Sequence, residues 1–518
     1  MSTYIFAIGG SGARVLRSLT MLLASGCRGT AANNEIIANI IDYDSTNGDT
    51  NRTQKVMETY HYLHSNAYKN GDTDIEQFFC NPLLMLRDKC SPAQRALLDV
   101  NAKFELHLSA ATTNQTFADY IGYKYLGVGT GNNETRQLLE SLYDTSSEKI
   151  QGTMYDNPKA ELNMNLHKGF KGCPNLGCIV TKHLKSSPEL NLAVNSLIQP
   201  TDKIVIIGSL FGGTGASGIP MLLDLFDNNS NTQAANKAVI ALLPYFNVAP
   251  PDANNKSAVN SNTFIAKTKA AISAYQNIYN QANCFYFVGD EPQNVFANVD
   301  GMEGQKNDAH YVELASAMCI LDFIENIGNG GFEVGLKNRE DSKVDYNSFY
   351  QDETIIPYIH PMARFKLFSA FCKNYMLSGK NDSNDIWLNG LADKGCKAIG
   401  DTNCANYRQK INDFIDFFDK WNSELSNRNS HRPLILFNGT NDYKDVWNFK
   451  KIFIPSRFLR RRSWELTDED FTKPLTDQYN IDNPSVGGIP NRPEYLFWRG
   501  SKKAMNEIDE KLRNKKIL

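Results

Sequence analysis

The stretch from residue 203 to 218, Lys-Ile-Val-Ile-Ile-Gly-Ser-Leu-Phe-Gly-Gly-Thr-Gly-Ala-Ser-Gly, constrains this chain more than any other. Its first six residues are a short apolar run, which reads as a buried strand. The residues behind it, 219–226, are apolar and helical in spacing. Between them stand Gly212, Gly213, Thr214, Gly215, Ala216 and Ser217. Glycines let backbone amides approach a ligand closely. A helix that starts there adds its free N–H groups and its dipole, which together favour an anion. A strand, a glycine turn and a helix in this order predict a phosphate-binding corner in an α/β sheet.

The N-terminus repeats the pattern. Residues 3–8 read as a strand, Gly9, Gly10, Ser11 and Gly12 as a turn, and residues 13–24 as a helix carrying Val15, Leu16, Leu19, Leu22 and Leu23. A second apolar strand at 36–41 ends in Asp42-Tyr43-Asp44. This succession starts a parallel, Rossmann-like sheet. A third glycine-rich stretch, residues 126–133, holds Gly129, Thr130, Gly131 and Asn132 ahead of a helix at 134–143. Two commoner nucleotide motifs are not met. Counting G-x-G from Gly10 puts Val15 where a dinucleotide fingerprint has its third glycine. No glycine loop ends in the G-K-[ST] of a P-loop.

The loop at 209–218 resembles the signature G-G-G-T-G-[ST]-G of the tubulin/FtsZ superfamily, with Phe211 in place of the first glycine and Ala216-Ser217 placing one residue more before the last. The three glycine loops also follow one another in that superfamily's order, with Asn133 where a proline is usual. The resemblance implies a Rossmann-like GTPase domain with a central helix, and GTP or GDP with Mg2+ as cofactor. It implies that Gly9, Gly10, Ser11 and Gly12 form a first phosphate loop and that Asp42 and Asp44 lie near metal and phosphates. Gly129, Thr130, Gly131 and Asn132 would contact the terminal phosphate. Asn307 or Asp308 would read the guanine edge, with Tyr311 or His310 as a stacking ring. Asp345, in Lys343-Val344-Asp345-Tyr346, matches an acidic loop that completes the catalytic site of a neighbouring subunit, although Lys343 and Ser348 depart from the pattern. The implied function is head-to-tail assembly into filaments with GTP hydrolysis at the subunit interface. The altered acidic loop keeps a second reading open, a nucleotide-gated scaffold or sensor with little or no hydrolysis. A third, a dinucleotide-dependent oxidoreductase, draws on the first loop and Asp42. No metal-ligand set is visible in the sequence.

The 518 residues divide into a nucleotide-binding domain over 1–326, with insertions at about 50–120 and 150–195 and a central helix at 308–326, and a C-terminal α+β activation-type or interaction domain over 327–518. In the latter, aromatic-rich helices are predicted at 365–376 and 407–425, and strands at 433–437 and 451–454. Apolar residues make up 42% and charged residues 21%, enough to build a core. A net charge of −3 argues against duplex nucleic acid as a partner. The Arg460-Arg461-Arg462 run reads as a solvated face or a contact for an acidic partner. The expected partners are copies of the chain itself, and other proteins through the insertions and the C-terminal domain. Ten cysteines are scattered, and Cys173 and Cys178, spaced C-x4-C, lack the second pair a zinc site needs. With no basic leader and no apolar run of membrane-spanning length, a reducing cytoplasm is the expected location.

Overall fold

The computed structural model describes residues 1–27, 35–44, 46–67, 77–106, 114–126, 133–143, 161–250, 259–298, 304–326, 344–345, 356–373, 401–427, 433–436, 473, 497–504 and 506–507. Its centre is a six-stranded sheet of β1 (Ser2–Ile8), β2 (Glu35–Ile41), β3 (Leu83–Leu84), β4 (Lys203–Ser209), β5 (Asn236–Leu242) and β6 (Cys284–Val288). The spatial order is β3-β2-β1-β4-β5-β6 and every pairing is parallel. This is the order of doubly wound, Rossmann-like sheets. β1 and β4 are buried along their whole length. Both faces of a parallel sheet are covered, so such strands are apolar throughout rather than alternating.

The two faces split with the period of two that strands impose. Ile5, Ala7, Ala38, Ile40, Val205, Ile207 and Ile240 face one apolar cluster. Tyr4, Phe6, Ile8, Ile37, Ile41, Ile206 and Val239 face the other. The first is covered by α1 (Gly9–Ala24), α2 (Gly48–Ala67) and α7 (Tyr311–Asn326). Between α2 and α7, in chain order, come α3 (Asn133–Leu142), α4 (Pro174–Val180), α5 (Gly213–Asp227) and α6 (Phe264–Tyr275). α5 covers the second face.

α2 and β3 fall inside the stretch at 50–120 that the sequence reads as an insertion, yet they build the sheet's edge and its cover. Val56, Met57, Tyr60 and Leu63 of α2 are buried. The polar residues that hide this helix in a composition reading are partly exposed, such as Lys55 and Ser65, and partly buried, such as Asp49, Thr50, Thr53 and Thr59.

The helices behind the two glycine corners start earlier than their apolar spacing predicts. α1 begins at Gly9 rather than 13, and α5 at Gly213 rather than 219. The N–H groups of a first helical turn have no intrahelical partner, so glycine's weak helix propensity costs little there. The central helix, expected at 308–326, runs over Tyr311–Asn326 and is buried from Tyr311 to Ile324.

In the C-terminal part, α8 (Ile356–Phe371) and α9 (Asp401–Leu425) are longer at their N-terminal ends than the aromatic spacing suggests. They pack on the first face. Phe368 stacks on Phe78 with 4.8 Å between centroids, Phe414 meets Phe79 edge-on at 5.2 Å, and Trp421 Nε1 donates to Ser18 Oγ at 3.1 Å. The described C-terminal helices therefore share one apolar core with α1, α2 and α7. The expected strand at 433–437 is the pair Leu434–Ile435, which runs parallel to Val344–Asp345. The strand expected at 451–454 and the run at 460–462 lie outside the described residues. Among the described residues no helix is long and apolar enough to cross a membrane. The eight described cysteines carry free thiols.

Candidate functional site

In doubly wound sheets the crevice opens at the carboxyl ends of the strands where the order reverses. Here that point lies between β1 and β4. β1 runs directly into a glycine-initiated helix and β4 reaches one after the three residues 210–212, and a cleft of about 1030 Å³, part of it open to solvent, sits above them. It is lined by Gly9, Gly10 and Ser11 from the first corner and by Ser209, Phe211, Gly212, Gly213, Thr214 and Gly215 from the second.

The two corners touch. Gly9 has φ +72°, and a Cβ on it would stand 3.7 Å from Thr214 Cβ. Gly215 crosses so close to the end of β4 that a Cβ would lie 2.5 Å from Ser209 N. Neither helix start is capped by a side chain: Ile8 precedes α1 and Gly212 precedes α5, and neither accepts from the first turn. Two adjacent helix N-termini thus present uncapped amides and two positive dipole ends to one cleft.

A third wall comes from residues 168–172, Lys-Gly-Phe-Lys-Gly, inside the stretch at 150–195. The Phe170 ring packs tilted against Tyr43, with 4.7 Å between centroids, and a Cβ on Gly213 would come within 2.7 Å of Phe170 Cβ. Lys267 Nζ of α6 donates to the Gly172 carbonyl at 2.5 Å. Beneath the loop, Phe117, Leu166, Leu176 and Val180 form a small apolar cluster of their own with Tyr43 and Phe170. Lys171 holds φ +43°, a left-handed conformation that costs a non-glycine residue on the order of 1 kcal/mol. Lys168 and Lys171 are half-buried, and both line the cleft.

Asp42, Asp44 and Asn47 complete this end. Asp42 accepts from Thr50 Oγ1 at 3.1 Å and from the Asp44 N–H at 3.2 Å. Burial, and then the charge of Asp44, push its carboxyl up to about 7. The rest of the lining is apolar and carboxamide: Phe246, Val248, Val259 and Phe264, with Asn298, Gln305 and Asn307. Asn47 Nδ2 donates to Gln305 Oε1 at 3.3 Å, and Asn298 Nδ2 donates to the Ala249 and Val259 carbonyls. Arg14 reaches the cleft from inside α1. Burial would lower its pKa, but Tyr245, Glu313 and Asp49 raise it well above the ordinary value.

Comparison with protein-family models, with curated proteins and with solved structures finds no match to this chain.

Of the residues predicted from sequence, Gly9, Gly10, Ser11, Asp42, Asp44, Gly212, Gly213, Thr214, Gly215 and Asn307 meet in the cleft. Six described ones, His310 among them, stand elsewhere. Gly12 packs between β1 and β4, where a Cβ would lie 3.0 Å from the Ala7 carbonyl carbon. The Ala216 carbonyl accepts from Tyr275 Oη at 2.6 Å, and the Ser217 hydroxyl donates back to the Gly213 carbonyl at 2.8 Å. Both sit past the first exposed amides, inside the helix. Asp308 turns away to accept from Asn427 Nδ2 at 3.0 Å. Tyr311 is buried against His310, with 4.7 Å between centroids. Gly129, Thr130, Gly131 and Asn132 lie outside the described residues, as does the Asp345 side chain; the Asp345 backbone belongs to the strand beside Leu434–Ile435. Sequence reading missed Lys168–Lys171, Arg14, Asn47 and Gln305. The alternation of lysine and glycine over 168–172 is a legible signal for an anion; the other three are not marked by any local pattern.

Proposed function

We propose that the cleft binds a nucleoside di- or triphosphate, GTP or GDP with Mg2+, and that the chain is a tubulin-like GTPase that assembles head-to-tail. What carries the reading is the pair of uncapped, glycine-initiated helix starts lying side by side at the switch point. The phosphate chain would lie along Gly9–Ser11 and Gly212–Gly215. Backbone amides would take its oxygens there, and Lys168 and Lys171 would balance its charge. The apolar and carboxamide lining suits a purine, with rings against Phe246 or Phe264 and the polar edge toward Asn298, Gln305 and Asn307.

The donor set fits a divalent cation. The half-buried Asp42 and the buried Asp44 lie together beside the phosphate corner, and desolvation and then the charge of Asp44 make Asp42 give up its proton reluctantly. Mg2+ keeps several waters and takes one or two carboxylates plus phosphate oxygens. When bound, it would neutralise charge on the phosphates.

Hydrolysis needs a group that orients and polarises the attacking water. Under this reading Asp345 of one subunit supplies it to the nucleotide of the next, so turnover should depend on assembly. The alternative, a scaffold that holds nucleotide with little turnover, is favoured by Lys343 and Ser348, which replace polar and acidic partners in that loop.

The experiment is light scattering with simultaneous phosphate release, on purified protein with GTP and magnesium at rising protein concentration. The expected result is scattering above a critical concentration, with turnover that rises in step and is lost in Asp345→Ala. Bound nucleotide without scattering or release would move the assignment to the scaffold. Retention of NAD in place of GTP would replace it with a dinucleotide enzyme.

A further inference from the structure

The wall of the cleft that holds Gln305 and Asn307 is fixed from behind by a cluster of buried charges that ends in the C-terminal part of the chain. Arg14 pairs with Asp49 at 2.8 Å and with Glu313 at 2.6 Å. Arg52 pairs with Asp49 at 2.9 Å and with Glu424 at 2.6 Å, and Arg17 lies 3.4 Å from Glu424. Three guanidinium groups thus face three carboxylates. The cluster grips the backbone of the wall at three points. The Asn307 N–H donates to Asp49 at 3.3 Å, Arg52 donates to the Asn307 carbonyl at 2.5 Å, and the Ala309 N–H donates to Glu424 at 3.0 Å. Glu424 stands in the last turn of α9, 115 positions beyond Ala309.

We infer that Glu424 is a positioning residue for the carboxamide wall, so that the end of α9 sets which nucleobase the cleft accepts. The inference rests on the nucleotide reading of the cleft. Carboxamides discriminate bases by donor and acceptor direction, and a small rotation of their backbone misaligns them. Charge-assisted bonds on both the N–H and the C=O of Asn307, and on the next N–H but one, fix that rotation. Burial raises the Glu424 pKa, while Arg17 and Arg52 act to lower it.

The test uses the full chain in two variants. Arg17→Gln/Glu424→Gln removes one charge of each sign and keeps the cluster balanced. Glu424→Asp keeps the charge and shortens the reach. Hydrogen exchange is followed over residues 304–313 without ligand, and binding is measured for GTP, ATP and inorganic tripolyphosphate. The amides of Asn307 and Ala309 should exchange about tenfold faster in the double variant. The preference between GTP and ATP should narrow by about fivefold, with tripolyphosphate binding unchanged because it uses only the glycine corners and the lysine loop. Glu424→Asp should fall between. Unchanged exchange overturns the inference, as does faster exchange with an unaltered base preference. A uniform weakening of all three ligands overturns it too, since that marks a merely structural role. If the wild-type chain takes up neither nucleotide, the reading of the cleft and the selection both fall. A wild-type preference that survives in both variants sinks the role of Glu424 alone.

Discussion

Asp42 shows what a single side chain at the cleft contributes. Its ordinary pKa is 3.8 and in the fold it rises to about 7, because it is buried and faces Asp44. Between those values the folded protein holds a proton that the unfolded chain has lost. Stability of the ligand-free protein therefore falls as pH rises from about 4 to about 7, and levels off above that. The full difference is worth roughly 4 kcal/mol. Asp42→Asn should raise the thermal midpoint at pH 8 and leave it nearly unchanged at pH 4. Equal shifts at the two pH values would show that the carboxyl is not held neutral by the fold. The residues that sequence reveals at this scale are those whose reason is local. Gly9 announces itself because the turn after an apolar strand needs its positive φ. Arg14 does not. In a helix of apolar residues an arginine reads as solvated, yet Arg14 is 1% exposed, because Asp49 and Glu313 reach it from 35 and 299 positions away.

At the scale of elements, the loop at 168–172 is the part of the site that a family-style reading passes over. It is held by Phe170 on Tyr43 and by Lys267 on Gly172, so its lysines are presented on a fixed backbone. Each charged contact to a phosphate is worth about 1.5–3 kcal/mol. Lys168→Ala and Lys171→Ala should each weaken nucleoside triphosphate binding about tenfold or more, and lower its dependence on salt. Binding of the nucleoside without phosphates should be untouched; its loss in equal measure would mean that the loop had moved rather than lost charge. The strands β1, β2 and β4 are legible as apolar runs, and the central helix by its length. α2 is not, because its polar residues, the buried Asp49 and Thr53 among them, outweigh Met57 and Tyr60 in a composition reading. The starts of α1 and α5 are missed for a related reason: glycines lower helix propensity everywhere except in a first turn, where they leave amides free.

For the whole molecule, the described helices α8 and α9 share their core with the sheet's cover, which predicts joint unfolding. Phe365 touches the rings of Phe78, Phe79, Phe414 and Phe418 at 5.4, 5.5, 6.1 and 4.9 Å. Phe365→Ala should cost about 3–5 kcal/mol. All five tryptophans, Trp387, Trp421, Trp447, Trp464 and Trp498, lie in the C-terminal part, so fluorescence reports that part and circular dichroism the whole. The two denaturant curves should coincide in the wild type and shift together in the variant. Separated curves, or a shift in fluorescence alone, would divide the molecule into independent folding units.

The position of β1 also sets a timetable. It is a strand of seven residues, Ser2–Ile8, buried on both faces, with β2 on one side and β4 on the other. β4 begins only at Lys203. At a synthesis rate of about 5–20 residues per second, roughly 10–40 seconds pass between the two strands leaving the ribosome. Throughout that interval Tyr4, Phe6 and Ile8 have one edge and one face without their final neighbours. Apolar surface and an open strand edge left waiting in this way are what make a nascent chain prone to aggregate, so slowing synthesis before residue 203 should lower the soluble yield, and an unchanged yield would show that the wait is harmless.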